Sequence, residues 1–307
     1  MQNSPPLRVY SNKQRVTYLY YLGRFHFSNS HFFYAQSCLQ SAYDQCHSQF
    51  LSQRRLILIY LIASNMILGR FPSQILMMLP EAAGLSEKFE PVVYSIRRGD
   101  LVGFKHALGP EHGNEQWFFR KGLLLALLSR CEVLVWRSLA RRVFMLTYNF
   151  PWDPANGEKF PTMDLRYLVA AAQYCQKRLE GWEKPPANPL FVSNPDLAPP
   201  PRGAKRLHAQ RGVIFKNKMP DMVDIQAIVA SLKQQRLMLG WVDNGREEFC
   251  IQGSKRAGGP LNAGFPPVWK TIKERVKGET DVPGWVQRQQ KKGGTVVNLS
   301  GARPVGS

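Results

Sequence analysis

Through the first 150 residues apolar positions recur with the period of a helix. Val16, Leu19, Tyr20 and Gly23 fall at i, i+3, i+4 and i+7, on one helical face. Asn29-Ser30 interrupts that stripe, and Phe32, Ala35, Leu39, Ala42, Tyr43 and Cys46 restart it. The pair fits, in degenerate form, the helical-hairpin repeat in which Trp, Leu-Gly and Tyr on one helix face an Ala and a Phe on the next. Leu22-Gly23 takes the Leu-Gly position, Ala35 and Leu39 the Ala and Phe positions, and Leu19 replaces the Trp. His26 departs from the pattern at the Tyr position. Gly23 is therefore expected where the two helices cross, and a helical solenoid is favoured over an isolated bundle.

Further hairpins follow. Leu56–Leu68 is apolar nearly all round, as a helix covered on both sides must be. Its 13 residues fall short of the ~20 that span a bilayer. In Phe89–Leu108 the step Gly99-Asp100 ends one helix with a glycine and caps the next with an aspartate. Trp117–Leu146 reads as one long helical stretch, with Trp117, Phe118, Phe119 and Trp136 as core and Arg130, Arg137, Arg141 and Arg142 among them. Pro151, Pro154 and Pro161 mark a break before the amphipathic helix Asp164–Leu179.

The pattern then changes. Seven prolines between Pro185 and Pro201 exclude both helix and paired strand. A basic stretch follows, with no acidic residue before Asp221, and it reads as an exposed loop. Asp224 is expected to cap a helix reaching Leu237 whose buried face holds Ile225, Ile228, Val229 and Leu232. Directly after it come two short alternating runs, Met238–Val242 and Glu248–Gln252, around Asp243-Asn244-Gly245-Arg246. Asn-Gly between such runs predicts a hairpin closed by a type I′ turn. A helix running into a β-hairpin is winged-helix anatomy. Val268–Val276 closes the module.

Charge sharpens this picture. Lys and Arg number 41 against 22 Asp and Glu, a formal net charge of +19. Residues 200–307 carry 19 basic and 8 acidic side chains, the denser excess. A polyanionic partner is implied, either nucleic acid or acidic protein. The five cysteines show no CxxC spacing and read as buried thiols. The chain opens MQNSPPLRVYSN, without the apolar core of a secretory leader. No phosphate-loop, dinucleotide, zinc-protease or serine-hydrolase motif occurs, so neither an enzyme nor a cofactor is expected.

Several long strings resemble the PCI-domain family, stacked helical hairpins closed by a winged helix. They are QRVTYLYYLGRFHFSNSHFFYAQSCLQSAYDQCH with RRLILIYLIASNMILGRFPS, then IRRGDLVGFKHAL, VDIQAIVASLKQQRLMLGWVDNGREEFCIQGSK and the closing Phe265–Pro267. Within the family they are most similar to the branch of the nuclear mRNA-export PCI subunit and the fungal signalosome-associated PCI protein. The resemblance begins inside that family's helical repeats, as expected of the C-terminal part of a longer member. The fold expected is mainly α: a TPR-like helical-hairpin solenoid over residues 1–180 followed by a winged-helix domain. Residues 181–223 form a Pro-rich and basic insertion, 224–276 the winged-helix core and closing helix, and 277–307 a basic tail.

What the resemblance implies is a non-enzymatic scaffold subunit acting in transcription-coupled mRNA biogenesis and export. It implies nuclear location, with the cytoplasm as a second site. Its partners would be a larger PCI scaffold protein and a small acidic peptide subunit of the proteasome-lid type, with no membrane. The alternative is a signalosome-associated subunit whose winged helix serves protein assembly alone. The basic residues allow two readings, a solvated surface or a set of phosphate contacts with RNA or DNA. For the second, the candidates are Lys205, Arg206, Arg211, Lys216 and Lys218 in the insertion, with Lys233, Arg246, Lys255 and Arg256 in the winged helix. Lys270 and Lys273 of the closing helix join them. The helix after Asp224 offers one outward cation, so little sequence preference is expected. Arg137, Arg141 and Arg142 read as a solvated face or as a contact strip for the acidic peptide.

Overall fold

The computed structural model describes residues 7–110, 114–148, 160–183, 197–208, 214 and 216–276. It is mainly helical. The tail 277–307, Arg211, and the prolines at 151 and 154 lie outside the described residues.

Helices α1 (Asn12–Ser28) and α2 (Phe32–Gln45) form the first hairpin. Ser11 and Gln14 start α1 with a reciprocal capping box, satisfying amides that the first turn leaves without partners. The hairpin closes at Gly23, where a Cβ would stand 2.6 Å from Leu39 Cγ. The glycine is thus where the repeat pattern puts it, facing the fully buried Ala35 and Leu39.

Helix α3 (Leu51–Ile67) is buried continuously from Ile57 through Ser64 because α2 and the later helix α8 cover opposite sides. The short α4 (Gln74–Met77) lies in the connection that follows. That connection is pinned by buried Glu81, which accepts from Tyr43 Oη at 2.7 Å and from Arg54 Nε at 2.8 Å. Helices α5 (Ser86–Arg98) and α6 (Leu101–Ala107) meet at Gly99, left-handed at φ 69°, and Asp100 accepts from the Gly103 amide.

The long stretch after Trp117 is two helices, not one. Helix α7 (Asn114–Arg120) ends at Gly122, φ 70°, and α8 (Leu124–Thr147) starts afresh. A left-handed residue cannot continue an α-helix, so the apolar stripe crosses a corner there. Helix α8 is the spine of the molecule and packs against α3, α5, α6, α7 and α9. Phe118 and Trp136 are core, as their spacing predicts, whereas Phe119 is 68% exposed.

The winged-helix sheet reaches further back than the boundary drawn at residue 180. Strand β1 (Thr162–Asp164) pairs antiparallel with β3 (Glu248–Cys250), which also pairs with β2 (Trp241–Asp243). Met163 and Val242 flank the fully buried Phe249 in register. Helix α9 (Leu165–Leu179) follows β1 directly, so it serves as the module's first helix and as the solenoid's last layer.

Helix α10 (Met222–Gln234) starts earlier than expected: its N-cap is Asp221. Asp224 sits three residues on and completes a capping box. The expected type I′ turn does not form. Asp243 Oδ1 accepts from the amides of Gly245 and Arg246, and the left-handed residue is Glu247, φ 57°. The result is a four-residue loop, because the aspartate captured the amides a tight turn needs free.

The described part of the insertion is held rather than loose. Glu183 and Ala198 exchange backbone hydrogen bonds at 3.2 and 2.8 Å. Gln173 and Gln176 of α9 donate to the carbonyls of Pro220 and Lys216. After the short α11 (Pro260–Gly264), helix α12 (Val268–Val276) turns back onto the solenoid. There Trp269 stacks on Phe33 with ring centroids 5.9 Å apart, and the Arg70 guanidinium lies over its indole. Among the described residues no helix is long and apolar enough to cross a membrane.

Candidate nucleic-acid and partner interfaces

The basic candidates do not share one surface. Lys205 and Arg206 are exposed beside the C-terminus of α9, tied there by the Lys205 amide donating to the Glu180 carbonyl at 2.8 Å. With Lys105, His106 and His208 they border a cleft of about 240 Å³. Lys216 is near them, left-handed at φ 47°, its carbonyl held by Gln176. Arg246 stands instead at the hairpin loop, next to the start of α9, where the Leu165 amide donates to the Glu247 carbonyl. Fifteen residues of helix separate those stations, roughly 22 Å at 1.5 Å per residue.

A third group lies at the other end of α10. Lys233 is exposed on its last turn, and Arg275 of α12 reaches the Gln235 carbonyl at 3.5 Å. Lys270 and Lys273 face outward on α12. Lys255 and Arg256 are exposed in the loop leaving β3, at the end of the sheet opposite Arg246.

Lys218 departs from the expectation. Its ammonium pairs with Asp224 at 2.9 Å and Asp221 at 3.4 Å, and the Asp224 hydrogen bond keeps it charged to higher pH than usual. It serves the helix cap. Arg206, Lys216, Lys233, Arg246, Arg256, Lys270 and Lys273 form no ion pair among the described residues. The outward side of α10 carries Val223, Ala227, Ala230 and Gln234, with Lys233 as its cation, a poor surface for reading bases.

The three arginines of α8 do not make a strip. Successive residues turn by about 100°, so Arg142 points roughly 140° away from Arg137. Arg137 Nη2 donates to the carbonyls of Phe265 at 2.9 Å and Pro266 at 2.6 Å, clasping the winged helix to the solenoid. Burial, aided by repulsion from Arg141, pushes its pKa down to about 10. Arg142 lines a groove of about 560 Å³ between α5–α6, α8 and α9. The groove is floored by Val102, Leu139, Val143 and Ala171, and rimmed by Arg98, Arg142 and Arg178 with Tyr174. Leu146 at its edge is 77% exposed. Arg98 and Arg178 join the site only through the fold. A signal in the sequence existed: Ala171, Tyr174, Cys175 and Arg178 lie at i, i+3, i+4 and i+7 on a face of α9 that borders its core stripe and shares Cys175 with it.

Four of the five cysteines are buried free thiols, with Cys38 partly exposed. Burial pushes the Cys131 and Cys175 thiols up to about 12, Asp100 adding to the effect at Cys175. Among the described residues no three His, Cys, Asp or Glu side chains group as metal ligands would.

The described architecture is a helical-hairpin solenoid closed by a three-stranded winged helix, with basic stations around the junction. No protein-family model matches the chain. It is, however, similar to a PCI domain-containing protein of Schizosaccharomyces pombe, 35% identical over 158 residues, 52% of this chain and 34% of the relative. PCI domain-containing protein 2 of Danio rerio is 33% identical over 144 residues, 46% of this chain and 34% of that protein. The CSN12 homolog of Neurospora crassa is 31% identical over 142 residues, 46% of this chain and 30% of that protein. The chain is thus similar, over about half of its own length, to proteins named for a PCI domain. The matched segment spans about a third of the length of these relatives.

Proposed function

We propose that the chain is a non-enzymatic scaffold subunit of a PCI complex which, with a larger PCI partner and a small acidic peptide subunit, forms a nucleic-acid-binding platform in nuclear mRNA biogenesis and export. The observation that carries this reading is the set of exposed cations without ion pairs around the winged helix. Spread over about 20 Å, they suit a backbone that runs across the module better than one inserted helix. The small and apolar outward face of α10 supports sequence tolerance.

The test is a salt titration of single-stranded RNA and duplex DNA binding by wild type and by Arg206→Glu/Lys216→Glu/Arg256→Glu. Binding by the variant should weaken equally for all sequences. For single strands the slope of log affinity against log salt should fall by about 2, at roughly 0.7 for each phosphate no longer neutralised. Equal affinities at low salt overturn the nucleic-acid platform.

The acidic peptide is assigned to the groove rimmed by Arg98, Arg142 and Arg178. Its apolar floor accepts a few aromatic side chains while carboxylates meet the guanidiniums, which steer association. Arg142→Glu/Arg178→Glu should slow association with an acidic, aromatic-containing peptide more than it speeds dissociation. An unchanged on-rate removes the groove from the assembly.

One observation favours a second reading. The exposed Val223 and the alanines of α10 suit a protein contact, and two fungal relatives are named CSN12 homologs. In that case the winged helix assembles a signalosome-type complex and binds no nucleic acid.

A further inference from the structure

Where the winged helix meets the solenoid, the packing leaves a cavity of about 570 Å³. Its walls come from both modules: the α1–α2 turn, the end of α3 and α8 on one side, the end of α10 and α12 on the other. Ile67, Leu68, Leu134, Leu237 and Ile272 make the apolar part, with Phe33 and Tyr34 beside them.

The polar part is one-sided. Arg130 and Arg275 line the cavity with His31, Gln234 and Gln235, and no aspartate or glutamate does. Arg130 has no acidic partner among the described residues, and Arg275 reaches only a carbonyl, at the 3.5 Å edge of hydrogen bonding. Two guanidiniums lining one space without a carboxylate favour an anion beside them. The space far exceeds the ~30 Å³ of a water and falls in the ~300–1,000 Å³ range of organic ligands. This lining suits an anionic group beside the guanidiniums and a flat or apolar body against the aliphatic wall.

We propose that this cavity binds a nucleoside phosphate, its phosphoryl group between Arg130 and Arg275 and its ring system against Phe33, Tyr34 and the aliphatic wall. The side-chain amides of Gln234 and Gln235 are the groups that would meet the base or sugar. The ligand has two sources, a free mononucleotide or one nucleotide of a bound strand. Only the second rests on the nucleic-acid reading above. Because both modules contribute, occupancy fixes the winged helix on the solenoid, and ligand binding must appear as thermal stabilisation.

The test uses the whole chain with AMP, UMP, adenosine and inorganic phosphate, followed by thermal shift and calorimetry. A single-stranded hexanucleotide forms a second arm. The nucleotides should raise Tm, adenosine should bind at least tenfold more weakly, and Arg130→Gln or Arg275→Gln should each weaken AMP at least tenfold. Both arginines are exposed at the mouth, so the unliganded variants should melt as wild type does. Circular dichroism and the unliganded Tm check this, and Arg275→Lys should restore part of the affinity. Strand binding that falls with AMP binding supports a strand nucleotide; strand binding untouched by either substitution supports the free mononucleotide. If Arg206→Glu/Lys216→Glu/Arg256→Glu leaves strand binding unchanged while AMP still binds, the platform fails and the cavity stands. Equal stabilisation by inorganic phosphate and AMP overturns the nucleotide assignment. A shift that survives both glutamine substitutions, or none with either nucleotide, overturns the site.

Discussion

Arg137 is the sharpest test of how the two modules are joined. Its guanidinium donates to the carbonyls of Phe265 and Pro266, just before α12. Hydrogen bonds from a charged donor contribute about 1.5–3 kcal/mol each, so the pair contributes roughly 3–6 kcal/mol. Burying the guanidinium opposes this. The fall in its pKa from 12.5 to about 10 corresponds to about 3 kcal/mol against the charged form, at ~1.4 kcal/mol per pH unit. The difference, with about 1 kcal/mol for packing of the aliphatic stem, puts Arg137→Ala at roughly 1–4 kcal/mol of destabilisation.

The loss should also be local. Helix α12 begins at the clasped carbonyls, and the Thr271 amide donates to Pro267 at 3.1 Å. Urea unfolding reads the global term, and hydrogen exchange over residues 261–276 reads the local one. Arg137→Ala should lower protection there well before α1–α3 are affected, and Arg137→Lys, with one compact donor, should recover about half. A stability change under about 0.5 kcal/mol with unchanged exchange would falsify the clasp and return Arg137 to the exposed strip.

Three further outcomes follow from single residues. Burial first, then the neighbouring His31, lowers the His26 pKa, so the folded state holds this imidazole neutral. Its contribution is fully present above the unfolded pKa of about 6.5 and is lost as pH falls through the lower folded value; Tm should drop from pH 7 to 5, and less so in His26→Gln. Gly99→Ala and Gly122→Ala share a left-handed φ, but only at Gly99 would the new Cβ meet backbone, Leu139 N at 2.4 Å. Urea midpoints should put Gly122→Ala near 1 kcal/mol and Gly99→Ala at about 2–4 kcal/mol; equal costs would mean that α8 yields at that contact. Ellman's reagent should titrate at most Cys38 rapidly in the native protein and all five thiols in denaturant; fast reaction of Cys131 would contradict its burial.

What could be read in advance was whatever a single helix face encodes. Gly23 opposite Leu39, the all-round apolar α3 and the Gly99-Asp100 step each depend on residues a few positions apart, so the stripe predicts the packing. The misses have two causes, a partner distant in sequence and a local competitor for a hydrogen bond. Strand β1 is three residues long, and only pairing with β3, over eighty residues away, makes it a strand. Asp243 outcompeted the Asn-Gly turn for amides, and Asp221 took the N-cap expected of Asp224, which instead closes the capping box three residues on. The candidate cations were legible as residues but not as a surface. Charge alone does not say that Lys218 is held by two aspartates or that Arg137 is turned inward.

The junction therefore concentrates the properties that elsewhere are dispersed. Within the solenoid, buried charges are paired, Glu81 with Arg54 and Lys105 with Glu132. Between the solenoid and the winged helix the match is incomplete. Arg137 donates to two carbonyls ahead of α12, the α5–α6, α8 and α9 groove stays open with arginines at its rim, and the α10–α12 cavity is lined by two guanidiniums. The groove and the cavity leave arginines facing open space, with Asp100 the carboxylate that lines the groove. If the proposed anionic ligands enter this seam between the modules they stabilise it, and their binding would then couple the orientation of the winged helix to what the protein binds. The same arginines that make the seam imperfect in isolation would make it firm in a complex.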